Sequence, residues 1–320
     1  MPAVRGARVR PKVSVIMPAR NEEEHVSTSL DAISGQKYPN YEITVLDDGS
    51  TDSTPALIRE RAEGDPQVRF GRIWDHPKGW TGKNWACYLG YKRSRGDILL
   101  FTDADINASD TVLNDSVGYM VRKKLDALTL IPKVITLGFI PRLVQPTLGV
   151  IMSVFFSPTA VNNPKSKLAY FWGSYFLISR RAYEIIGGHE AVKSEIVEDR
   201  ALGQRTKRAR LRLQMIDGSR DFSAVWARST GSLWRNLERI TFSSLRGNTR
   251  SKVQYVSGTA VLFLPPVLLF LTISLFEVSS NIPNLIFALG GITLMILSSA
   301  YEAKHRLAIG YRYGLGVPLA

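Results

Sequence analysis

Apolar and polar positions alternate between two periods along residues 12–135. Val13–Met17, Glu42–Leu46, Val68–Trp74, Ile98–Thr102 and Ala127–Ile131 are short, nearly continuous apolar runs, the pattern of strands buried on both faces. Between them lie amphipathic stretches that predict helices over Glu22–Ser34, Ser53–Glu63, Asn84–Ser94 and Asp110–Lys124. Acidic residues in the first turn of Glu22–Ser34 suit the helix dipole, and Pro55 suits the first turn of its helix. Strand and helix in alternation predict an α/β domain with a mostly parallel sheet and right-handed crossovers.

The pattern changes at Pro132. Ile135–Phe156 is apolar but interrupted by Gly138, Pro141, Arg142, Gln145 and Pro146, which disfavours a membrane span. An interfacial helix over 135–160 and a buried core helix both fit. Tyr170–Ile178 resumes a strand, Arg180–Ile186 a helix stopped by Gly187-Gly188, and Glu198–Arg210 a basic helix.

Charge divides the chain further. The net charge is +13, and Arg200–Lys252 holds 13 Lys or Arg against Asp217, Asp221 and Glu238. Then charge stops: Val253–Phe276 and Val278–Tyr301 are each 24 residues without any, separated by Glu277. Each is long enough to cross a bilayer of about 30 Å. A transmembrane hairpin is therefore expected over 253–301, with Asn281 and Pro283 near its turn. Arg246, Arg250 and Lys252 before it and Lys304, Arg306 and Arg312 after it place both ends in the cytoplasm. The alternative is a buried helical pair. Residues 231–252 then read as a basic juxtamembrane interfacial helix meeting anionic lipid, and not as a nucleic-acid surface. Residues 1–11 form a basic tail without a signal-peptide core, and 302–320 a basic cytosolic tail. The last residues, Gly314–Ala320, read as the start of a third apolar segment, which fits a truncated protein. The one cysteine, Cys87, excludes an internal disulfide and fits a small buried apolar side chain.

Candidate chemistry gathers where strands end. Pro18-Ala19-Arg20-Asn21-Glu22 follows the first strand, Asp47-Asp48-Gly49-Ser50 the second, His76–Lys83 the third, and Asp103-Ala104-Asp105 the fourth. In doubly wound sheets such loops converge on one edge, where ligands bind. Two carboxylates one residue apart repel unless a cation or donors intervene. A divalent metal carrying phosphates satisfies them, and so does a solvated turn. Lys78, Lys83, Gly79 and Gly82 precede a helix, whose N-terminus attracts anions, but the spacing is not that of a P-loop. Glu198-Asp199 opens a basic helix, as dipole partner or as general base.

Taken in order, Pro18–Glu22, Asp47-Asp48-Gly49-Ser50, Asp103-Ala104-Asp105, Gly187-Gly188 and Glu198-Asp199 resemble glycosyltransferase family 2, inverting enzymes of the GT-A nucleotide-diphospho-sugar transferase fold. Gly79–Lys83 and Val161–Ser166 resemble its membrane-bound, lipid-glycosylating branch, which includes hopanoid-associated and carotenoid glycosyltransferases. The resemblance covers residues 12 to 245 and implies a cytosolic GT-A catalytic domain over 12–230.

By position, the resemblance implies that Pro18, Ala19, Arg20, Glu22, Asp48, Lys83, Asp103 and Ala104 bind the nucleotide sugar. Asp105 would bind Mg²⁺ or Mn²⁺, Lys83 would stabilise the leaving diphosphate, and Asp199 would be the base with Glu198 in support. The donor is expected to be a UDP-sugar before a GDP-sugar, the acceptor a lipid hydroxyl, and the location the cytoplasmic face of the cell membrane, as an integral protein. No nucleic-acid partner is expected. Processive synthases of the family carry a Gln-x-x-Arg-Trp motif that is missing here; the corresponding region is Ser232–Arg239. That argues for transfer of a single sugar. Trp172, Gly173, Trp234 and Arg235 are candidates for the acceptor side, with lipid anchoring an equal reading for Trp234 and Arg235. A polyprenyl-phosphate acceptor is the first alternative, with phosphate bound by the Arg-rich stretch 200–212. A non-catalytic membrane adaptor is the remote one.

Overall fold

A computed structural model of the chain describes residues 10–155, 157–246 and 282–304, together with residues 249, 252, 253, 256, 257 and 260. Contacts divide it into two units: residues 1–133 with 158–225, and residues 134–157 with 226–320.

The first unit begins with β1 (Val13–Ala19), α1 (Val26–Ser34), β2 (Tyr41–Asp47), α2 (Thr54–Gly64), β3 (Val68–Arg72), α3 (Gly82–Arg93) and β4 (Ile98–Thr102). It continues with β5 (Ile106–Ala108), α4 (Val112–Arg122) and β6 (Ala127–Ile131). After β7 (Lys133–Thr136) and α5 (Phe139–Phe155), the chain returns through α6 (Pro158–Asn162), β8 (Tyr175–Ser179), α7 (Arg180–Ile185) and a 3₁₀ turn, His189–Val192. Then follow α8 (Glu198–Arg208), β9 (Leu213–Asp217), β10 (Phe222–Ala227), α9 (Thr230–Arg246) and α10 (Ile282–Glu302).

Seven strands form one sheet in the order β3-β2-β1-β4-β8-β6-β9. β1 pairs parallel with β2 and β4, β2 parallel with β3, and β6 parallel with β9. The expected α/β class and mostly parallel sheet are present. One strand departs: β8 runs antiparallel to both β4 and β6. It also starts at Tyr175, five residues later than the apolar run, because Trp172 and Tyr175 close a turn through a 3.0 Å N–H to carbonyl bond. Along β1, Val15 and Met17 face a core closed by Val26, Leu30 and Ile33 of α1 and Val112, Leu113 and Val117 of α4. Ile16 faces the other core, with Phe101, Phe176, Ile178 and Leu202 of α8. Burial of one such side chain is worth about 1.5–3 kcal/mol, so the sheet is held from both faces and its strand ends are fixed in place.

Two more points differ from the sequence reading, and the expected hairpin is not confirmed. The helix read from Glu22 starts at Val26, because Asn21 is left-handed (φ 54°) and the Glu22 N–H is taken by Thr54 Oγ1 at 2.7 Å. β9 and β10, with the short β5 and β7, were hidden by charge or brevity; β10 pairs antiparallel with β5. The transmembrane hairpin is not met among the described residues, where no helix is long and apolar enough to cross a membrane. Its first expected span, 253–276, lies almost wholly outside the described residues, and the second falls on α10.

In the second unit, helices stand where an interfacial segment (α5) and a basic helix (α9) were expected. α5 meets α10 closely: a Cβ on Gly149 would lie 3.3 Å from Glu302 Oε2. Trp234, Ile240, Phe242 and Leu245 of α9 and Ile286, Leu289, Leu294 and Leu297 of α10 are exposed.

Candidate active site

The site lies in the first unit, at the carboxyl ends of β1, β2 and β4. Register places Ala19 beside Asp47, so the loops after β1 and β2 leave the sheet together. The Asp48 N–H donates to the Ala19 carbonyl at 2.8 Å. Asp48 is buried, and its carboxylate faces Arg20 Nη1 at 3.5 Å and the ring of His76. Asp47, wholly buried, sits 3.2 Å from Arg72 Nε and accepts the Ser50 N–H.

α3 approaches from below. Thr81 caps it, its hydroxyl accepting the Asn84 N–H at 3.3 Å. Gly82 passes so close to Asp48 that a Cβ there would lie 2.0 Å from its Oδ2; only glycine fits without moving the carboxylate. The next residue, Lys83, extends its ammonium between two carboxylates, one after β4 and one opening α8: Asp103 Oδ1 at 2.8 Å and Glu198 Oε1 at 2.9 Å. Burial works against the charge of Lys83, but Asp103 and then Glu198 outweigh it and raise its pKa well above the ordinary lysine value. Asp199, beside Glu198 at the start of α8, comes against the backbone of Gly173, where a Cβ would meet its Oδ2 at 2.8 Å and Lys83 Nζ at 3.5 Å. Lys83, Asp103, Glu198, Asp199 and Gly173 thus form one cluster.

Asp105 lies partly exposed in the turn between β4 and β5, and its carbonyl accepts the Val225 N–H at 3.0 Å. Among the described residues, no three or more His, Cys, Asp or Glu side chains are grouped as a metal centre. A cation held mainly by substrate phosphates needs only one or two protein carboxylates. The hard oxygens of Asp105 suit Mg²⁺ or Mn²⁺ in that way, while Asp103 is paired with Lys83.

Pro18, Ala19 and Ala104 are buried, so a ligand would meet their backbone and not their side chains. Trp172 is tied by its N–H to Thr129 Oγ1 at 2.8 Å. Trp234 and Arg235 are exposed on α9 of the second unit. Glu198, expected to support Asp199, pairs with Lys83. Below the cluster, burial pushes the Cys87 thiol up, and burial with the nearby Lys83 charge pushes His189 down to about 3, so both are neutral. Three contributors carried no assigned role in the sequence: His76 against Asp48, Arg72 against Asp47, and Asn84.

The profile of glycosyl transferase family 2 matches residues 14–187, which include the Asp48 loop, Lys83, Asp103 and every strand of the large sheet except β9. The chain belongs to glycosyl transferase family 2. Among its relatives in the family, the 4,4'-diaponeurosporenoate glycosyltransferase of Staphylococcus haemolyticus is 28% identical over 211 residues, 64% of this chain and 54% of that protein. The enzyme of the same name from Staphylococcus aureus strain USA300 is 29% identical over 199 residues, 60% of this chain and 50% of that one. The chain spans about half the length of these relatives. These carotenoid-acid enzymes agree with the lipid-glycosylating branch of the family. In fold, it is similar to the mannosyltransferase PcManGT of Pyrobaculum calidifontis, solved with GDP-Man and Mn²⁺ (TM-score 0.56, 18% identity, 98% of this chain and 87% of that one). It is also similar to residues 1–349 of TarS from S. aureus, solved with UDP-GlcNAc (TM-score 0.51, 16% identity, 95% and 90%). The α/β architecture is accordingly of the GT-A kind.

Proposed function

We propose that the chain moves a single sugar from a nucleotide-diphospho-sugar to a lipid-like acceptor, with inversion at the anomeric carbon. The observation that carries this reading is the lysine bridge: Lys83 holds Asp103 and Glu198 together at the carboxyl edge, next to the Gly82–Asp48 contact. Asp48 holds the base and ribose, with Arg20 and Glu22 near it on the preceding loop. Lys83 offsets charge that develops on the departing diphosphate. Asp103 lies at the nucleoside side, and Asp105, with the substrate phosphates, would hold Mg²⁺ or Mn²⁺. When bound, that ion polarises the diphosphate and neutralises the leaving group. Asp199 accepts the proton of an acceptor hydroxyl, while Glu198 keeps the lysine in place. A UDP- or GDP-linked donor agrees with what the two similar structures contain.

A second reading has an anionic acceptor. The relatives are named for a carboxylic acid, which is ionised at neutral pH and needs no base. The same logic covers a polyprenyl phosphate. Both readings share the donor half of the site and differ at Asp199. Exposed apolar side chains on α9 and α10, beside Arg235 and Arg239, support attachment to a membrane. The uncharged runs 253–276 and 278–301 support an integral protein, and the Lys and Arg residues flanking them support a catalytic unit on the cytoplasmic face.

The test is a donor screen with UDP- and GDP-sugars and Mn²⁺, followed by mass spectrometry of the lipid products. Asp199→Asn is then compared on hydroxyl, carboxylate and phosphate acceptors. Loss of turnover on the hydroxyl acceptor alone supports the base; full turnover on all three removes that role. A chain that binds no nucleotide sugar under any condition is the non-catalytic adaptor, and the proposal fails.

A further inference from the structure

We infer that Asn84 is a positioning residue that fastens the turn leading into Glu198 and Asp199 to the helix carrying Lys83. The inference rests on the transferase reading above. Residues 193–196 form an exposed turn between the 3₁₀ turn His189–Val192 and α8. Exposed turns are ordinarily the mobile parts of a fold. This one must nevertheless place Glu198 within 2.9 Å of Lys83.

The fastening comes from inside. Asn84 is wholly buried in the first turn of α3, one residue after Lys83. Its side-chain Nδ2 donates toward three carbonyls of the turn: Val192 at 2.8 Å, Lys193 at 3.1 Å and Glu195 at 3.0 Å. The Val192 carbonyl also accepts the Glu195 N–H at 2.9 Å, and the two N–H bonds of one amide are shared among the three carbonyls. The Thr81 N–H adds a bond to the Lys193 carbonyl at 2.8 Å, so the residues on either side of Gly82-Lys83 both hold this turn. The Oδ1 of Asn84 is buried with no hydrogen-bond partner among the described residues. The site therefore uses Asn84 as a donor. An aspartate of the same shape would aim a carboxylate at three carbonyls.

If Asn84 sets the distance between the Lys83 and Glu198–Asp199 sides of the cluster, its loss acts on turnover. A misplacement near 1 Å costs on the order of 100-fold in rate. Nucleotide recognition by the Asp48 loop would be spared. The experiment uses the full chain in phospholipid vesicles with UDP-glucose, Mn²⁺ and 4,4'-diaponeurosporenoate, at a temperature where circular dichroism shows each variant folded. Asn84→Ala is expected to lower kcat about 100-fold. Asn84→Asp should do at least as much harm, and Asn84→Ser, which keeps one hydroxyl donor, should fall between Ala and the unaltered protein. KM for UDP-glucose and the calorimetric Kd for UDP with Mn²⁺ should stay within about threefold, well below the 10-fold that 1.4 kcal/mol represents. Should Asn84→Ala not fold, Asn84→Ser and Asn84→Asp decide on the same kcat-to-KM split. Variants that lose thermal stability but keep kcat within twofold would show a merely structural asparagine and overturn the inference. An unaltered protein that binds no nucleotide sugar and transfers none would refute the transferase reading instead.

Discussion

Removing the charge of Lys83 perturbs both the stability and the chemistry of the site. In Lys83→Met the side chain keeps its apolar stem, while Asp103 and Glu198 lose the ammonium that stands at 2.8 and 2.9 Å. At an effective dielectric of about 20, a unit pair at such a distance attracts by roughly 6 kcal/mol, most of which desolvation takes back. Leaving a buried carboxylate without its cation costs about 3–5 kcal/mol. Lys83 is 35% exposed and Asp103 32%, whereas Glu198 is only 8% exposed, so water screens the first pair more than the second. Discounted for that screening, the loss is about 2–3 kcal/mol. It should lower the melting midpoint by roughly 4–12 °C in a domain of this size. The pH dependence follows from the raised lysine pKa: the stabilisation is complete below the ordinary value of 10.5 and disappears as pH rises through the higher folded value. Urea unfolding of the single variants and of Lys83→Met/Glu198→Gln gives the coupling directly. The double variant should recover at least half of the loss, because the orphaned carboxylate is gone. Transfer should fall by about 100-fold or more, the scale of losing one preorganised charge-stabilising group. A single variant within about 0.5 kcal/mol of the unaltered protein, or a double variant no better than the sum of the singles, would refute the bridge as a coupled unit.

Two further outcomes test the ends of the sheet separately. Glu42, at the opposite sheet end, accepts bonds from Lys12 Nζ, Ser14 Oγ and the Arg95 N–H; burial raises its pKa, but these donors outweigh it and bring it from 4.5 down to about 2. That difference is worth about 3 kcal/mol, present above pH 4.5 and lost as pH falls from there toward 2; Glu42→Gln should show the loss at neutral pH in urea unfolding while UDP affinity stays the same, and a drop in affinity would contradict the separation. Gly82→Ala puts a methyl 2.0 Å from Asp48 Oδ2, so calorimetry should show UDP binding weakened about tenfold or more, near 1.4 kcal/mol; unchanged affinity would remove Asp48 from the nucleotide site.

Much of this architecture was legible in the chain. β1, β2 and β4 announce themselves because strands covered on both faces are uninterrupted apolar runs. The direction of β8 was not legible for the same reason: buried on both faces, an antiparallel strand reads like a parallel one. β9 was masked by the Arg-rich stretch, although Leu213 and Met215 alternate inward with Gln214 between them. The acidic run Glu22–Glu24 imitated a helix start, but Asn21 and Thr54 hold Glu22 in a loop. Within the site, strand-end position pointed to the loops of Asp48, Lys83 and Asp103 converging on one edge, and the family resemblance supplied the roles expected of them. The partnership of Glu198 with Lys83 depends on how a distant turn is stitched to α3, and no spacing in the sequence encodes that. His76 and Asn84 were invisible as contributors because their partners, a carboxylate 28 residues away and three backbone carbonyls 108–111 residues away, exist only once the chain is folded.

Isothermal titration of UDP-glucose and GDP-mannose into the unaltered protein and Asp105→Asn, each with Mn²⁺ and with EDTA, tests nucleotide-sugar binding at this strand-end cluster most directly. The account predicts that one donor binds the unaltered protein with Mn²⁺, and that either EDTA or the Asp105 substitution weakens it by at least about tenfold, or 1.4 kcal/mol. Binding of neither donor, or equal affinity in all four conditions, would contradict it.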